Sequence, residues 1–219
     1  MENNKEELKK LEIKYNKYMK YVKTILLIII ITILILLIRY CYVFSLMYKI
    51  TKANHSDKSK TNCKITYSYI YENDENNSSV IIYCKDSVSV MKVEGFFSDY
   101  VIDNKRYSLY DTENGKTYSI NDYDNRNFET ITSWERLLFV FNQTNSCFTS
   151  NISYKDLNGE QFIVLSENNE ENWYNSNSFM LVRKINENCI LNITYEYDIV
   201  TNNDTQLPDL SEYQLIEEN

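Results

Sequence analysis

The sequence is poor in the residues that most often build loops around phosphates and catalytic centres. Its 219 residues include three Gly, one Pro and one His. A glycine-rich phosphate loop needs several positions without a side chain, and three scattered glycines do not provide it. A single histidine leaves almost no material for a His-based metal site or a His-activated nucleophile. We therefore predict that the protein is not an enzyme and that it has no cofactor and no metal.

An excess of positive charge is also missing. The chain has 23 Lys and Arg against 31 Asp and Glu, which gives a formal net charge of -8. Proteins that bind nucleic acid gather Lys and Arg on one face to replace the counterions of the phosphates. The charge balance therefore predicts no nucleic-acid partner.

One long apolar run is present. From Thr24 to Ile38 the chain reads TILLIIIITILILLI, with thirteen Ile or Leu and no charge. Each central Ile or Leu favours membrane insertion by roughly 0.5 kcal/mol. The thirteen together favour it by about 6 kcal/mol, which outweighs the cost of the single charge of Arg39. These fifteen residues cover only about 22 Å of a hydrocarbon core of about 30 Å. We therefore expect the span either to include residues 21–23 or to continue past Arg39, and we assign the transmembrane anchor to residues 24–46.

The charges on either side of this run predict its orientation. Seven Lys precede it within residues 1–23, whereas the nearest Lys after it are Lys49 and Lys52. The positive-inside rule then makes residues 1–23 a cytoplasmic basic tail and places the rest of the chain outside the cell. No small-residue cleavage site follows the run, so we expect a retained, single-pass anchor in the cell membrane, with the lipid bilayer as a partner.

Residues 47–62 are predicted to be a linker. The stretch KITKANHSDKSKTN has little apolar content and mixed charge, which is typical of a solvated spacer. The only histidine, His55, lies in this stretch. A ligand or base needs fixed partners, so no function is predicted for His55.

The remaining residues, 63–217, predict an extracytoplasmic domain rich in β-strands. Alternation of apolar and polar residues is clearest in CKITYSYIY, where Tyr67, Tyr69 and Tyr71 share one face. Similar segments follow at SVIIYCK, VSVMKVE, YVID, RYSLYD, KTYSIN, CFTSNISYK, EQFIVLSE, SFMLVRKI and CILNITYEYDIV. The fold class is therefore α+β and mainly β, with a curved antiparallel sheet of about ten strands. The acidic group of Glu167, Glu170 and Glu171 lacks the spacing of a calcium loop and is interpreted as a solvated turn.

The spacing changes to a helical period between Asn127 and Asn142. Ile131, Trp134, Leu138 and Phe141 recur on one face of NFETITSWERLLFVFN. This pattern predicts one main helix, capped at Asn127 or a nearby Asn, whose apolar face covers the sheet.

The order of these pieces resembles the half-shell fold of lipoprotein-sorting carrier proteins, the LolA-like superfamily. Similar domains occur in membrane-anchored proteins of low-GC Gram-positive bacteria. The resemblance covers about residues 61–217. It rests on CKDSVSVMKVE, VIDNKRYSLYDTENGKTYSI, ENWYNSNSFMLVRKINENCILNITYEYDIV and LPDLSEYQLIEE.

The resemblance implies a hydrophobic cavity between the sheet and its helix that holds a lipid or an acyl chain. Trp134, Leu138 and Phe141 are then the candidate lining. The same apolar helix face is also consistent with a plain core. Two functions therefore remain: an extracytoplasmic domain that binds a hydrophobic ligand or an envelope protein, and a structural or protein-interaction component of a cell surface or viral envelope with a filled core.

Four cysteines, Cys63, Cys84, Cys147 and Cys189, fall in the predicted external domain. They allow two disulfides with three connectivities, or they remain buried free thiols. A first hairpin that closes on ENDENNS places Cys84 opposite about Thr66. This register predicts that Cys63 and Cys84 are not direct partners across the strands.

Overall fold

The computed structural model describes residues 2–56, 58, 61–71, 78–93, 97–124 and 130–216. The chain forms two compact units, Met1–Leu46 and Met47–Asn219. A long apolar N-terminal helix is followed by a large curved sheet with further helices, so the predicted α+β, mainly β class is confirmed.

The first unit is built by helix α1, which spans Glu2–His55 and also supplies the first residues of the second unit. Its stretch from Leu11 is long and apolar enough to cross a membrane, and none of its most apolar window is buried in the protein. The Ile and Leu side chains from Ile25 to Ile38 are exposed. This helix fits a membrane anchor or a signal sequence.

The second unit is built on one twelve-stranded sheet with the order β12-β6-β5-β4-β3-β2-β1-β11-β10-β9-β8-β7. All neighbours are antiparallel except the pair β12 and β6, which is parallel. The strands are β1 (Cys63–Tyr71), β2 (Ser78–Lys85), β3 (Val88–Val93), β4 (Phe97–Ile102), β5 (Lys105–Thr112), β6 (Gly115–Asp122), β7 (Asn151–Leu157), β8 (Glu160–Glu167), β9 (Glu170–Asn175), β10 (Leu181–Ile185), β11 (Cys189–Tyr197) and β12 (Gln214–Leu215).

Short hairpin loops join many of these strands although glycine is scarce. Four two-residue loops place both residues at positive φ: Asp86–Ser87, Asp103–Asn104, Asn158–Gly159 and Asn168–Asn169. Such turns match the twist of the strands, and Asn and Asp tolerate the left-handed region better than other residues with side chains. In this sheet, Asn and Asp therefore occupy most of the positive-φ turn positions that glycine occupies in other hairpins.

Two apolar cores lie on opposite faces of the sheet. The first contains Cys63, Ile65, Cys84 and Ile193, on the surface that we call the helix face. The second contains Val90, Tyr100 and Leu109, on the opposite surface, which we call the tail face. The strand register shows that the two cores lie on opposite faces. Lys64 precedes Ile65 along β1 and therefore points to the other face. Lys64 aligns with Tyr83, and Tyr83 aligns with Val90 of the second core.

The C-terminal tail covers the second core. It contains helix α3 (Asn202–Thr205), a short 3-10 helix (Leu210–Glu212) and β12. Leu207, Leu210 and Tyr213 pack against the core of the tail face. The tail therefore completes the domain at the end of the sheet formed by β2 to β6.

Helix α2 spans Ser133–Cys147 and begins later than predicted. Thr132 is its N-cap: the Thr132 side chain accepts a hydrogen bond from the Glu135 amide, and the Glu135 carboxylate accepts one from the Thr132 amide. This reciprocal capping box satisfies two backbone donors of the first turn. The predicted cap, Asn127, lies outside the described residues.

Several strand predictions need correction. β9 was not predicted, because EENWYN is polar and shows no simple alternation. The predicted strand CFTSNISYK starts only at Asn151, because Cys147 still belongs to α2. The predicted linker is also wrong over its first part, since α1 continues to His55 and Met47, Ile50 and Thr51 are buried. Their spacing of three and four residues puts them on one helical face.

Candidate functional site

A cavity of about 720 Å³ lies within the second unit, on the helix face of the sheet. It is open to solvent on one side and is lined by the end of α1, the end of α2 and the strands β1, β8, β9, β10 and β11. Its size falls in the range of roughly 300–1,000 Å³ that small-molecule sites occupy. We call it the helix-side cavity.

The floor of this cavity is apolar. The register places Ile65 opposite Tyr195 and Tyr67 opposite Ile193, so these four side chains form a continuous patch across β1 and β11. Leu181 extends the patch across β10. An apolar chain lying on these side chains would be shielded from water.

Tyrosine hydroxyls in the cavity remain protonated over an extended pH range. Burial raises the pKa of Tyr195 well above its usual value, and its hydroxyl donates a hydrogen bond of 3.1 Å to the Leu181 carbonyl. Burial likewise raises the pKa of Tyr174 to about 12. The two phenols therefore add polar but uncharged groups to the wall.

The end of α1 forms one wall and is fastened to the sheet by Asn54. The Asn54 side chain accepts a hydrogen bond from the Leu181 amide at 2.9 Å and donates one to the Phe179 carbonyl at 2.9 Å. The side-chain amide of Asn54 thus pairs with backbone groups around the start of β10, in the way that a neighbouring strand would. Met47 and Ile50 on the same helix line the cavity.

The end of α2 forms another wall, but with a different face from the predicted one. Val140 and Thr144 are fully buried, and Gln143 and Cys147 line the cavity. The Thr144 hydroxyl donates a hydrogen bond of 2.7 Å to the Val140 carbonyl, which allows a polar side chain to be buried there. Burial raises the pKa of the Cys147 thiol.

The predicted lining residues Trp134, Leu138 and Phe141 do not line the cavity. They are 68%, 44% and 47% exposed and lie about a third of a turn around α2 from Val140 and Thr144. Six of the eight residues from Trp134 to Phe141 are apolar, so periodicity alone did not select the face that borders the helix-side cavity. The signal that sequence reasoning missed is the spacing of Val140, Thr144 and Cys147 by four and three residues.

The edge of the cavity is polar. Ser150 donates a hydrogen bond of 2.9 Å to the Glu167 carboxylate, and Glu170 forms an ion pair of 3.3 Å with Lys184. Glu167 and Glu170, assigned from sequence to a solvated turn, therefore belong to the rim of the cavity. They stand at the end of β8 and the start of β9, on either side of a two-residue turn.

His55 also lies at this rim, although the sequence indicated no function for it. Its ring makes an edge contact with Phe139, with centroids 5.2 Å apart. It is part of the cavity lining together with Thr51 and Asn54. His55, which was predicted to lie in a solvated linker, therefore has a fixed partner in Phe139.

The cysteines differ from the prediction in their register. Cys63 and Cys84 are direct partners across β1 and β2, because the hairpin closes without the predicted offset. Both are buried, and the described cysteines are not joined in disulfides. Cys147 and Cys189 lie elsewhere, on α2 and at the start of β11.

Within the described part of the chain, no three His, Cys, Asp or Glu side chains are grouped so that they could hold a metal ion.

No protein-family model and no curated protein sequence matches the chain. Among solved structures, it is similar to MucB, with 11% identity and a TM-score of 0.38, over 78% of this chain and 64% of that one. It is also similar to a LolA superfamily protein from Nitrosomonas europaea, with 6% identity and a TM-score of 0.32, over 74% of this chain and 96% of that one. A DUF1329 family protein from Desulfovibrio piger shares 8% identity, with a TM-score of 0.27 over 75% and 96% of the two chains.

A LolA superfamily protein is thus among the structures that the chain resembles. The chain spans about 64% of the length of MucB. Identities and TM-scores this low do not assign a family, so the function is argued from the cavity. The predicted source in low-GC Gram-positive bacteria stays a prediction.

Proposed function

We propose that the protein is a single-pass membrane protein whose domain from Met47 onward binds one lipid-like molecule in the helix-side cavity. The observation that carries this proposal is a cavity of about 720 Å³ with an apolar floor and a polar rim. An apolar floor beside a polar rim suits an amphiphile. Burial of the ligand's apolar chain is favourable, and the ligand's polar group stays beside hydrogen-bonding side chains. The role is binding and not catalysis.

The apolar helix supports the membrane part of the proposal. Residues 1–23 carry seven Lys before the run, and Lys49 and Lys52 are the nearest that follow it. By the positive-inside rule, the N-terminus is cytoplasmic and the binding domain lies outside. An anchored domain of this kind would take its ligand from the bilayer or from an envelope protein.

A photoactivatable fatty acid tests the proposal in the full chain reconstituted in nanodiscs. Crosslinked peptides are identified by mass spectrometry, which separates labelling of the cavity from labelling of the apolar run. We expect crosslinks on β1, β8 and β11 in addition to those on residues 24–46. Crosslinks confined to residues 24–46 would contradict the proposal.

Variants on α2 make this test specific. Cys147→Trp places an indole in the cavity, so we expect cavity crosslinks to fall at least about tenfold while crosslinks to residues 24–46 are unchanged. Ser146→Trp is the matched control, because Ser146 is exposed and outside the lining. Gln143→Trp repeats the cavity filling at a more exposed lining position should Cys147→Trp fail to fold.

A second candidate function is a protein-interaction role for the same domain. The observation that favours it is the exposed apolar side of α2, with Trp134 68% and Leu137 47% exposed. The two candidates separate in the crosslinking experiment, because an interaction module with no lipid ligand gives no cavity label.

A further inference from the structure

A second concave site lies on the tail face, at the end of the sheet away from β2 to β6. It is a groove of about 460 Å³. Phe162, Trp173, Arg183 and Asn192 contribute to it from β8 to β11. The register aligns Trp173 with Arg183 and Arg183 with Asn192, so the last three form one row across the strands. We call this site the Trp173 groove.

The groove and the helix-side cavity lie mainly on opposite faces of the sheet, although Ile193 and Tyr195 border both. Leu165 and Tyr174 line the cavity and alternate along their strands with Val164 and Trp173. Trp173 therefore points to the opposite face of the sheet. Trp173 and Arg183 line the groove and not the cavity, so substitutions of these two residues test the groove separately from lipid binding.

Trp173 is held in place by charged neighbours. Its ring nitrogen donates a hydrogen bond of 2.8 Å to the Glu171 carboxylate. The Lys155 ammonium lies 4.6 Å from the ring centroid and 3.2 Å from the same carboxylate. Lys155 and Glu171 thus neutralise each other while they fix the indole. The aromatic wall of the groove is therefore organised before any ligand arrives.

Arg183 is the charged group of the groove whose hydrogen bonding is incomplete. Its guanidinium carbon lies 5.8 Å from the Trp173 ring centroid. Its Nε is buried and has no hydrogen-bond partner within the part of the chain that the structure describes. A buried guanidinium donor without an acceptor is costly. The Arg183 side chain also lines the groove, and carboxylate and phosphate oxygens bind guanidinium donors two at a time.

The backbone beside Arg183 is also unusual. The pairing of β9 and β10 is interrupted by a bulge between Leu181 and Arg183. Phe179, just before β10, has a φ of 58°, which a bulky side chain rarely adopts. Bulges and strained residues of this kind commonly re-aim side chains at binding sites.

We propose that the Trp173 groove binds a small organic anion, with a carboxylate or phosphate on Arg183 and an apolar body against Trp173 and Phe162. The side chains of Asn175, Asn192 and Thr194 add neutral hydrogen-bonding groups around the same volume. A volume of about 460 Å³ suits a molecule of small size. Arg183 and Glu160 are the charged side chains among the groove's lining residues, and Arg183 is the one that favours an anion over a neutral analogue of the same shape.

The fluorescence of Trp173 gives a direct test in the full chain in detergent. Trp134 is the other tryptophan and is 68% exposed, so Trp134→Phe leaves Trp173 as the single reporter. Benzoate is titrated as the anionic probe and benzamide as its neutral match. We expect saturable quenching by benzoate at an affinity at least about tenfold higher than for benzamide.

Substitutions of neighbouring cations make the test specific to the groove. Arg183→Gln is expected to weaken benzoate binding at least about tenfold, and Arg183→Lys to weaken it less, because the charge remains but the guanidinium fork is lost. Lys184→Gln is the matched control, because it removes the same charge one residue along β10, from the opposite face. Thermal unfolding checks that each variant is folded.

Three results would overturn the proposal: no saturable quenching by benzoate, equal affinities for benzoate and benzamide, or a loss in Lys184→Gln as large as in Arg183→Gln. Should Arg183→Gln fail to fold, Arg183→Lys decides, since unchanged benzoate affinity in that variant would exclude guanidinium recognition.

Discussion

At the scale of single residues, asparagine takes over tasks that backbone and glycine perform in other proteins. Asn54 pairs with the Phe179 carbonyl and the Leu181 amide, and Asn62 pairs in the same way with both backbone groups of Val200. Composition showed that Asn is abundant, but only the three-dimensional structure shows which of these residues are structural. Side-chain pairing with a distant segment leaves no pattern in the local sequence.

Asn54→Ala is expected to destabilise the domain by about 2 kcal/mol, because it leaves the Phe179 carbonyl and the Leu181 amide without these partners in a half-buried place. Chemical denaturation of the full chain measures the change in the free energy of unfolding. Asn142→Ala, at an exposed position of α2, is the control and should be near neutral. An equal effect of the two substitutions would disprove the fastening role of Asn54.

Because Tyr174 is buried, we predict that the folded domain loses stability at alkaline pH. Burial raises its pKa from 10.0 to about 12 in the folded protein. Above about pH 10 the unfolded chain releases this proton while the folded protein keeps it, so the contribution is complete below pH 10 and is lost as pH rises towards 12. The expected loss is about 2 kcal/mol.

Denaturation at several values between about pH 9 and pH 12 checks this expectation. Tyr174→Phe should lose less stability over that window than the parent. Tyr154→Phe, at a 55% exposed position, should follow the parent curve. Parallel curves for the parent and Tyr174→Phe would show that the buried phenol is not the cause.

At the scale of elements, sequence patterns located most strands but did not decide faces and registers. The alternation of side-chain types along β1 predicted that strand, because its two faces carry different kinds of residue. β9 was not predicted, because its sequence is polar and shows no such alternation. The face of α2 that borders the cavity could not be selected, because the five consecutive residues 137–141 are all apolar and so point around the whole helix. The end of α1 looked like a linker because three buried residues among polar ones carry little average hydrophobicity.

The register of β1 and β2 makes a prediction for the cysteines. Cys63 and Cys84 are direct partners, and aligned residues of antiparallel strands have Cα atoms about 4.5–5.5 Å apart, within the range of disulfides. Incubation with oxidised glutathione should therefore join them, with the loss of two hydrogen atoms and the reduction of the glutathione disulfide. The closed loop should stabilise the domain by about 3 kcal/mol.

Peptide mapping under non-reducing conditions identifies the bond, in a Cys147→Ser, Cys189→Ser background that keeps the aligned pair. A variant that also carries Cys84→Ser should gain no stability from the oxidant. Recovery of both thiols in alkylated form after oxidation would contradict the register.

At the scale of the whole molecule, one sheet serves two cores on opposite faces. The core of the helix face lies with α1 and α2 around the cavity, and the core of the tail face lies under the C-terminal segment. The α+β class and the apolar N-terminal helix were predictable, because each depends on the repeated spacing of residue types along the chain. A cavity between the sheet and α2 was implied by the resemblance, but its lining was not predictable, since the lining depends on the end of α1 and on the side of α2 that faces the sheet.

Native mass spectrometry of the full chain, released from detergent after purification from its membrane, tests the central claim most directly. The account predicts a bound species of lipid mass on the parent and on Ser146→Trp, and its loss from Cys147→Trp. A bare polypeptide mass for the parent, which stays bare after incubation with phospholipid or fatty acid, would contradict the claim that the cavity holds a lipid-like molecule.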